Sequence, residues 1–213
     1  MLTVHHLGKS QSERIVWLCE ELEIPYELKR YTRDKMTLLA PPDYKALHPM
    51  EAAPVVTDGN LVLAESGAIV QYIIVKYGGG RLMLRTDDPD FADFLYWFHF
   101  ANSTLQPSLG RLMVLNRLQL PDNNSVLFAA RARVDRAIYA IEMRMRAAAY
   151  LAGREFTSAD IMMVFTLTTM RYFQPYELTR FPNILRYLAR IGTRPAYRRA
   201  MEKGDPGMAL LLV

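Results

Sequence analysis

The sequence contains a single cysteine, Cys19, in 213 residues. One thiol cannot form an intramolecular disulfide, and the chain does not open with the charged, apolar and small-residue pattern of a secretory leader. It also lacks any apolar run close to the roughly 20 residues that cross a bilayer, since the apolar stretch 208–213 is too short. These absences exclude a disulfide scaffold and predict a cytoplasmic protein. Cys19 lies on the apolar stripe of a predicted helix, so we expect it to be buried rather than reactive.

Residue patterns typical of metal, nucleotide and nucleic-acid sites are missing as well. The four histidines do not share zinc-ligand spacing with other ligand residues, and no glycine-rich loop follows a predicted strand. The net charge is +4, but the arginines alternate with acidic residues along helices, as on a solvated surface. With 51% hydrophobic and 23% charged residues, the composition is that of an ordinary globular protein. We therefore expect no metal, no nucleotide cofactor and no nucleic-acid partner.

The first part of the chain alternates between strand-like and helix-like patterns. Strands are predicted at 2–5 and 26–31, on either side of a helix. This helix is indicated by apolar residues that recur at helical spacing: Ile15, Leu18, Cys19 and Leu22. A hairpin is predicted over 55–63 around an Asp-Gly-Asn turn, and a helix over 66–77 that a left-handed Gly78 would end. The predicted order is βαβ, a connector, and ββα.

The second part of the chain shows only helical patterns. Glycines 78–80 and the polar segment up to Pro89 mark the clearest boundary, and apolar residues beyond it recur at helical spacing with no strand pattern. Thr157 and Asp160 have the spacing of a capping box, which predicts another helix start. The predicted fold class is therefore α/β plus all-α: one domain over 1–78, a linker over 79–88, and a helical bundle over 89–213.

Four short motifs in this frame resemble those of the cytosolic glutathione transferase family. They are SQSER at 10–14, HPMEAAPVV at 48–56, ESGAI at 65–69 and FTSADI at 156–161. Each is weak alone, but their order along nearly the whole chain is specific. The set looks most like theta-related bacterial and fungal members, which use a serine beside the thiol. The resemblance implies a thioredoxin-like domain that binds glutathione, followed by a helical domain that forms the electrophile pocket.

The resemblance implies two contacts with the glutathione backbone. Ala53-Pro54 would be a cis peptide, which only proline makes accessible at about 0.5–1 kcal/mol, and Ala53 would pair with the cysteinyl main chain as an added strand does. Ser66, at the start of a helix, would bind the γ-glutamyl carboxylate, and Glu65 would reach the ammonium group of the same residue. The alternatives are an ordinary proline at a strand start and a helix cap with an acidic neighbour.

The catalytic residue implied by the resemblance is Ser10, with Ser12 as the fallback. An ordinary cysteine thiol has a pKa of about 8.5, so the site must stabilise the thiolate. A hydroxyl hydrogen bond to the anion contributes about 1.5–3 kcal/mol, or one to two pKa units, so no general base or metal is required. The alternative is that Ser10 and Ser12 only cap the first helix.

Other site residues are less well defined by the sequence. The family usually has a glycine and a polar residue where this chain has Glu51 and Ala52, so the basic partner of the glycine carboxylate would be Lys35 or Arg33. Glu51 would either repel that carboxylate, or point to solvent or pair with Lys35 or Lys45. The electrophile pocket is expected to include three residues: Leu7, Phe100 and Arg111.

The expected activity is conjugation of the glutathione thiolate to small hydrophobic electrophiles, by a homodimer. Glutathione acts as co-substrate, and no membrane partner is expected. Two alternatives stay open: a non-catalytic binding or regulatory protein with this fold, or another glutathione-dependent reaction such as isomerisation, dehalogenation or peroxide reduction. The natural electrophile is not readable from the sequence.

Overall fold

A computed structural model describes all 213 residues. By its contacts the chain divides into two compact units. The first comprises Met1–Met83 and Ile191–Leu210, and the second comprises Leu84–Arg190 and Leu211–Val213. The division after Met83 lies within the predicted linker, 79–88. The segment 191–210, however, groups with the N-terminal residues, although the sequence analysis assigned all of 89–213 to a helical domain.

The elements follow the predicted class, with strands only in the first unit. The strands are β1 (Leu2–Leu7), β2 (Glu27–Tyr31), β3 (Val55–Asp58) and β4 (Leu61–Ala64). The helices are α1 (Glu13–Leu22), α2 (Pro42–Lys45), α3 (Ser66–Lys76), α4 (Phe91–Phe100), α5 (Gln106–Arg117), α6 (Ser125–Ala147), α7 (Ser158–Leu167), α8 (Pro182–Gly192) and α9 (Pro195–Gly204). No helix combines the length and the apolar character needed to cross a membrane.

The sheet of the first unit has the strand order β2-β1-β3-β4. β1 runs parallel to β2 and antiparallel to β3, and β3 and β4 form the predicted hairpin. Parallel neighbours need a crossover, which α1 provides. β1 extends to Leu7, two residues beyond the predicted end, because His6 and Leu7 pair with Arg30 and Tyr31 of β2. Within the sheet, the ring nitrogens of His5 lie 3.0 Å from the Tyr31 hydroxyl and 3.1 Å from the Thr57 hydroxyl. Burial lowers the pKa of His5.

Helix α9 packs against α1 within the first unit. The ring of Tyr197 meets Trp17 edge to face at 4.8 Å, and Arg194 makes two hydrogen bonds of 2.7 Å to the carboxylate of Glu21. The helical pattern of α9 was readable from the sequence. Its partner was not, because an amphipathic stripe does not specify which apolar surface it covers.

The end of α3 differs from the prediction at Gly78. The left-handed residues there are Gly79 and Gly80, with φ of 60° and 81°, and Gly78 is not among them. Glycine is favoured at position 78 because a side chain has too little room there. A Cβ would lie 2.9 Å from the carbonyl oxygen of Ile74 and 3.0 Å from Leu22 Cδ1. The prediction of a left-handed Gly78 was therefore wrong by one position.

The regular elements of the second unit are all helical, and α4 packs against α7 and α5 against α6. A π-helical turn over Ala101–Leu105 links α4 to α5. The predicted capping box is confirmed: the Thr157 side chain accepts from the Ala159 amide, and the Asp160 carboxylate accepts from the Thr157 amide at 2.9 Å. Asp160 also accepts from the Leu151 amide and the Tyr187 hydroxyl, both at 3.0 Å. Burial raises its pKa to about 6.

Candidate functional site

The loop between β1 and α1 carries the two serines that the sequence analysis singled out. The hydroxyl oxygens of Ser10 and Ser12 lie 2.7 Å apart, and the Ser12 amide donates to Ser10 Oγ at 3.2 Å. Ser10 retains 5% of its surface exposed, whereas Ser12 is fully buried. Of the two hydroxyls, Ser10 is therefore the one that borders on the surface.

Ser12 turns back toward β1 instead of capping α1. Its Oγ accepts from the Leu7 amide at 3.1 Å, and it also lies 3.0 Å from His6 Nδ1 and 3.3 Å from the carbonyl oxygen of Leu7. Although Ser12 occupies the N-cap position of α1, its side chain makes no capping hydrogen bond. The interpretation of these serines as simple helix caps therefore does not describe Ser12.

His6 joins this loop to the residue that follows α9. Its Nε2 lies 3.1 Å from Asp205 Oδ2, and its ring is 1% exposed. Asp205 also accepts from the Lys9 amide, at 3.0 Å and 3.2 Å through its two oxygens. The close approach needs a glycine before Asp205, because a Cβ on Gly204 would lie 3.1 Å from His6 Nε2. The sequence analysis missed both residues: His6 directly follows the predicted strand 2–5, and Asp205 lies 199 positions away.

Arg14 connects the start of α1 with the start of α3. Its Nη1 donates to Gln11 Oε1 at 2.7 Å and to Ser66 Oγ at 3.3 Å. Arg14 is fully buried, which lowers its pKa to about 9, so the guanidinium stays charged at neutral pH. Ser66 is the first residue of α3, as predicted, and the first amides of a helix lack intrahelical acceptors. A cation, a hydroxyl and a helix N-terminus thus lie together, an arrangement suited to a carboxylate.

The residue before α3 has an unusual backbone. Glu65 is exposed and has a φ of 69°, in the region that glycine favours. Non-glycine residues in this region cost about 1–3 kcal/mol and cluster at ligand-binding sites. Its side chain lies outside the core.

The segment before β3 contains the predicted cis peptide bond, between Ala53 and Pro54. Pro54 is buried, and Ala53 is partly exposed immediately before β3, which begins at Val55. The backbone of Ala53 lies outside the paired part of β3, whose register with β1 runs from Val55 to Asp58.

The basic residues considered for the glycine carboxylate have different surroundings. Arg33 donates to the carbonyl oxygens of Gly8 and Leu38, both at 2.8 Å. It therefore links the loop after β1 to the segment after β2. Lys35 is exposed in the turn after β2. Glu51 is also exposed, and its carboxylate lies 3.8 Å from Lys45 Nζ. Glu51 thus lies within ion-pair distance of Lys45, and its effect on the glycine carboxylate stays a prediction.

The three residues expected in the electrophile pocket belong to different units. Leu7 packs in a hydrophobic cluster of the first unit with Tyr31 and Tyr44. In the second unit, Phe100 is buried against Trp97, with ring centroids 5.0 Å apart, and Arg111 is exposed on α5. Their grouping into one pocket stays a prediction.

Cys19 is buried, as expected, and its burial raises the pKa of its thiol. It is a core residue of α1 and not a nucleophile. No group of three or more histidine, cysteine or carboxylate side chains is close enough together to hold a metal ion.

Family models, curated relatives and solved structures of glutathione S-transferases match this chain. The glutathione S-transferase N-terminal domain model matches residues 1–74, and the C-terminal domain model matches 111–195. Glutathione S-transferase 3 of Schizosaccharomyces pombe is 32% identical over 95% of this chain and 88% of the relative. Glutathione S-transferase GstB of Escherichia coli K12 is 28% identical over 89% of this chain and 91% of the relative. A crystal structure of a glutathione S-transferase from Actinobacillus pleuropneumoniae superposes with a TM-score of 0.87 at 33% identity, covering 96% of this chain and 93% of that one.

Proposed function

The chain belongs to the glutathione S-transferase family, and from that premise we propose that its first unit binds glutathione and that Ser10 stabilises the glutathione thiolate. The observation that carries this proposal is the position of Ser10: its hydroxyl lies in the loop between β1 and α1, just before the first turn of α1. The nearby Ser12 is fully buried, which leaves Ser10 as the hydroxyl closest to solvent.

The chemistry that Ser10 supplies is stabilisation of an anion. A free cysteine thiol has a pKa of about 8.5, so only a small fraction is ionised at neutral pH. A hydrogen bond from Ser10 Oγ–H to the sulfur contributes about 1.5–3 kcal/mol and favours the thiolate over the thiol. The N-terminus of α1 adds about 0.3–1 kcal/mol in the same direction. The proton leaves to solvent, and no general base is needed.

The γ-glutamyl end of glutathione is proposed to lie at the start of α3. The hydroxyl of Ser66 and the α3 N-terminus receive its carboxylate, with the charge of Arg14 behind Ser66. Glu65 receives the ammonium group, for which an exposed carboxylate is the complementary charge. The backbone of Ala53 pairs with the cysteinyl unit, and the exposed Lys35 provides the cation for the glycine carboxylate.

The proposed reaction transfers the sulfur to a small hydrophobic electrophile. The thiolate forms a carbon–sulfur bond, and in a substitution the leaving group departs with the electron pair of the bond that breaks. Isomerisation, dehalogenation and peroxide reduction use the same thiolate, and electrophile screening separates them.

The proposal is tested with Ser10→Ala. The expected result is near-normal glutathione binding and a kcat that falls by about ten- to a hundredfold, because the lost interaction is made with the thiolate more than with the peptide. The matched control is Ser125→Ala, at an exposed position at the start of α6, which should behave as wild type. Wild-type protein that binds glutathione but conjugates no member of a broad electrophile panel would support the non-catalytic alternative instead.

A further inference from the structure

We propose that Asp205, His6 and Ser12 form a chain of hydrogen bonds that turns the hydroxyl of Ser10 toward the sulfur of glutathione. This proposal rests on the proposed role of Ser10. Asp205, His6 and Ser12 are positioning residues, since only Ser10 would contact the sulfur. We call this set the Asp205–Ser10 chain.

The contacts of the Asp205–Ser10 chain run through the first unit without a break. Asp205 Oδ2 lies 3.1 Å from His6 Nε2, and His6 Nδ1 lies 3.0 Å from Ser12 Oγ. Ser12 Oγ in turn lies 2.7 Å from Ser10 Oγ. His6, Ser10 and Ser12 are all buried, so bulk water does not compete strongly for these contacts.

The direction of each hydrogen bond depends on the hydrogens that His6 carries. With hydrogen on both ring nitrogens, His6 donates to Asp205 and to Ser12. Ser12 Oγ then accepts from His6 and from the Leu7 amide, so its own hydrogen has two possible acceptors: Ser10 Oγ at 2.7 Å and the carbonyl oxygen of Leu7 at 3.3 Å. The shorter contact directs it to Ser10. Ser10 Oγ accepts from the Ser12 hydroxyl and the Ser12 amide, which fills both of its lone pairs. The hydroxyl hydrogen of Ser10 can then be donated to the sulfur of glutathione.

The opposite arrangement withdraws Ser10 from the sulfur. If only Nε2 of His6 carries a hydrogen, Nδ1 becomes an acceptor and takes the hydroxyl hydrogen of Ser12. The 2.7 Å contact between the serine oxygens then requires Ser10 to donate to Ser12. Both arrangements satisfy Ser12, but only the first leaves the Ser10 hydroxyl as a donor to the thiolate.

The atoms around His6 fit the first arrangement. Each ring nitrogen faces an oxygen atom that can accept a hydrogen bond: Asp205 Oδ2 lies 3.1 Å from Nε2, and Ser12 Oγ lies 3.0 Å from Nδ1. The other groups that face Asp205 are the Lys9 amide, which donates to it, and Arg33, whose cation interacts with it electrostatically. Both fix the carboxylate in position. Because Asp205 follows α9, the packing of α9 on α1 brings this charge to the loop.

The test measures the pKa of the bound glutathione thiol by its thiolate absorption in the ultraviolet, in wild type and variants. Asp205→Asn keeps the size of the side chain but removes its charge, and Ser12→Ala interrupts the chain nearer to Ser10. We expect both variants to raise the pKa of the bound thiol by about one unit and to lower kcat near neutral pH by about three- to tenfold, with a smaller change in KM.

The matched control is Arg194→Gln, which removes the ion pair with Glu21 at the start of α9; Arg194 is not a member of the Asp205–Ser10 chain. It should lower the Tm and leave the thiol pKa as in wild type. If Arg194→Gln raises the thiol pKa as much as Asp205→Asn does, anchoring of α9 explains the effect and the proposal is overturned. It is also overturned if Ser10→Ala shifts the thiol pKa while Asp205→Asn and Ser12→Ala do not. Wild-type protein without thiolate absorption would overturn the proposed role of Ser10 as well.

Discussion

Single residues at the start of α1 and α3 combine structural and chemical roles. Arg14 is a buried cation that would be costly without partners, and its contacts with Gln11 and Ser66 hold it beside the α3 N-terminus. The resemblance carried by residues 10–14 gave Ser10 as the catalytic residue and Ser12 as the fallback, without a structural reason for that order. What distinguishes them is the orientation of Ser12 toward His6, which depends on a contact that no sequence spacing specifies.

Ser66→Ala should weaken glutathione binding without slowing the chemical step. The hydroxyl is proposed to bind the carboxylate at the γ-glutamyl end, far from the sulfur, so its loss affects the ground state and the transition state equally. We expect the KM for glutathione to rise about five- to tenfold with kcat almost unchanged, as for the loss of one hydrogen bond to a charged group. Steady-state kinetics with varied glutathione would show this. An unchanged KM would remove Ser66 from the carboxylate site.

Glu51→Gln should change glutathione affinity by less than about threefold. In the structure Glu51 is exposed and lies near Lys45, and such surface pairs contribute about 0–1 kcal/mol. Calorimetric titration with glutathione at low and high salt measures the effect. Markedly tighter binding by the variant at low salt, lost at high salt, would instead place Glu51 beside the glycine carboxylate.

At the scale of helices and strands, the sequence predicted the order of elements well and their local irregularities poorly. The alternation of apolar residues and the turn around Gly59 specified the ββα half of the first unit. The π-helical turn over Ala101–Leu105 was missed, because the apolar residues on either side of it keep nearly helical spacing. Pro107 explains the irregularity: it cannot donate to the carbonyl one turn earlier, and a local change of helical register accommodates it.

The hairpin of the first unit is tied to α3 through Asp58. Its carboxylate accepts from Lys76 Nζ and Tyr72 OH, both at 2.7 Å, and from the Tyr77 hydroxyl. The Lys76 ammonium, together with the hydroxyls of Tyr77 and Tyr72, holds the pKa of Asp58 well below its usual range. A carboxyl group with a lowered folded pKa stabilises the fold above its unfolded pKa of about 3.9, and this contribution is lost as the pH falls further.

Asp58→Asn should therefore lower the free energy of unfolding by about 1 kcal/mol at pH 7, with a difference from wild type that shrinks below about pH 4. Urea unfolding at several pH values measures it. Asp122→Asn is the control, because Asp122 is 92% exposed and pairs only with Arg131 at 3.3 Å, and it should not change stability. A constant difference between pH 7 and pH 3 would show that packing of the hairpin, and not the charge of Asp58, is responsible.

At the scale of the whole molecule, the sequence predicted two differently built halves but not the position of the last helix. Proline and glycine signals mark the start of the helical part, because such residues interrupt regular structure locally. The return of 191–210 to the first unit depends on contacts between Trp17 and Tyr197 and between Glu21 and Arg194, which are distant in sequence. For the same reason Asp205 could not be assigned to the site from the sequence. The proposed Asp205–Ser10 chain gives α9 a role in the thiolate site, because Asp205 directly follows this helix.

We expect the protein to be a homodimer in solution. The resemblance implies a dimer seam along the helices that follow Ser66 and Pro89. Several large apolar side chains are exposed on or next to these helices, where burial in a dimer would stabilise them: Leu61, Val62, Val75, Leu95 and Tyr96. Sedimentation equilibrium should therefore give about twice the chain mass of 24.5 kDa.

Val75→Asp should shift the protein toward the monomer, because it places a charge on the exposed apolar side of α3 that the proposed seam would bury. Phe128→Asp is the matched control: Phe128 is 71% exposed, close to the 70% of Val75, but lies on α6. A wild-type monomer at micromolar concentration, or equal dissociation by both variants, would contradict the proposed seam.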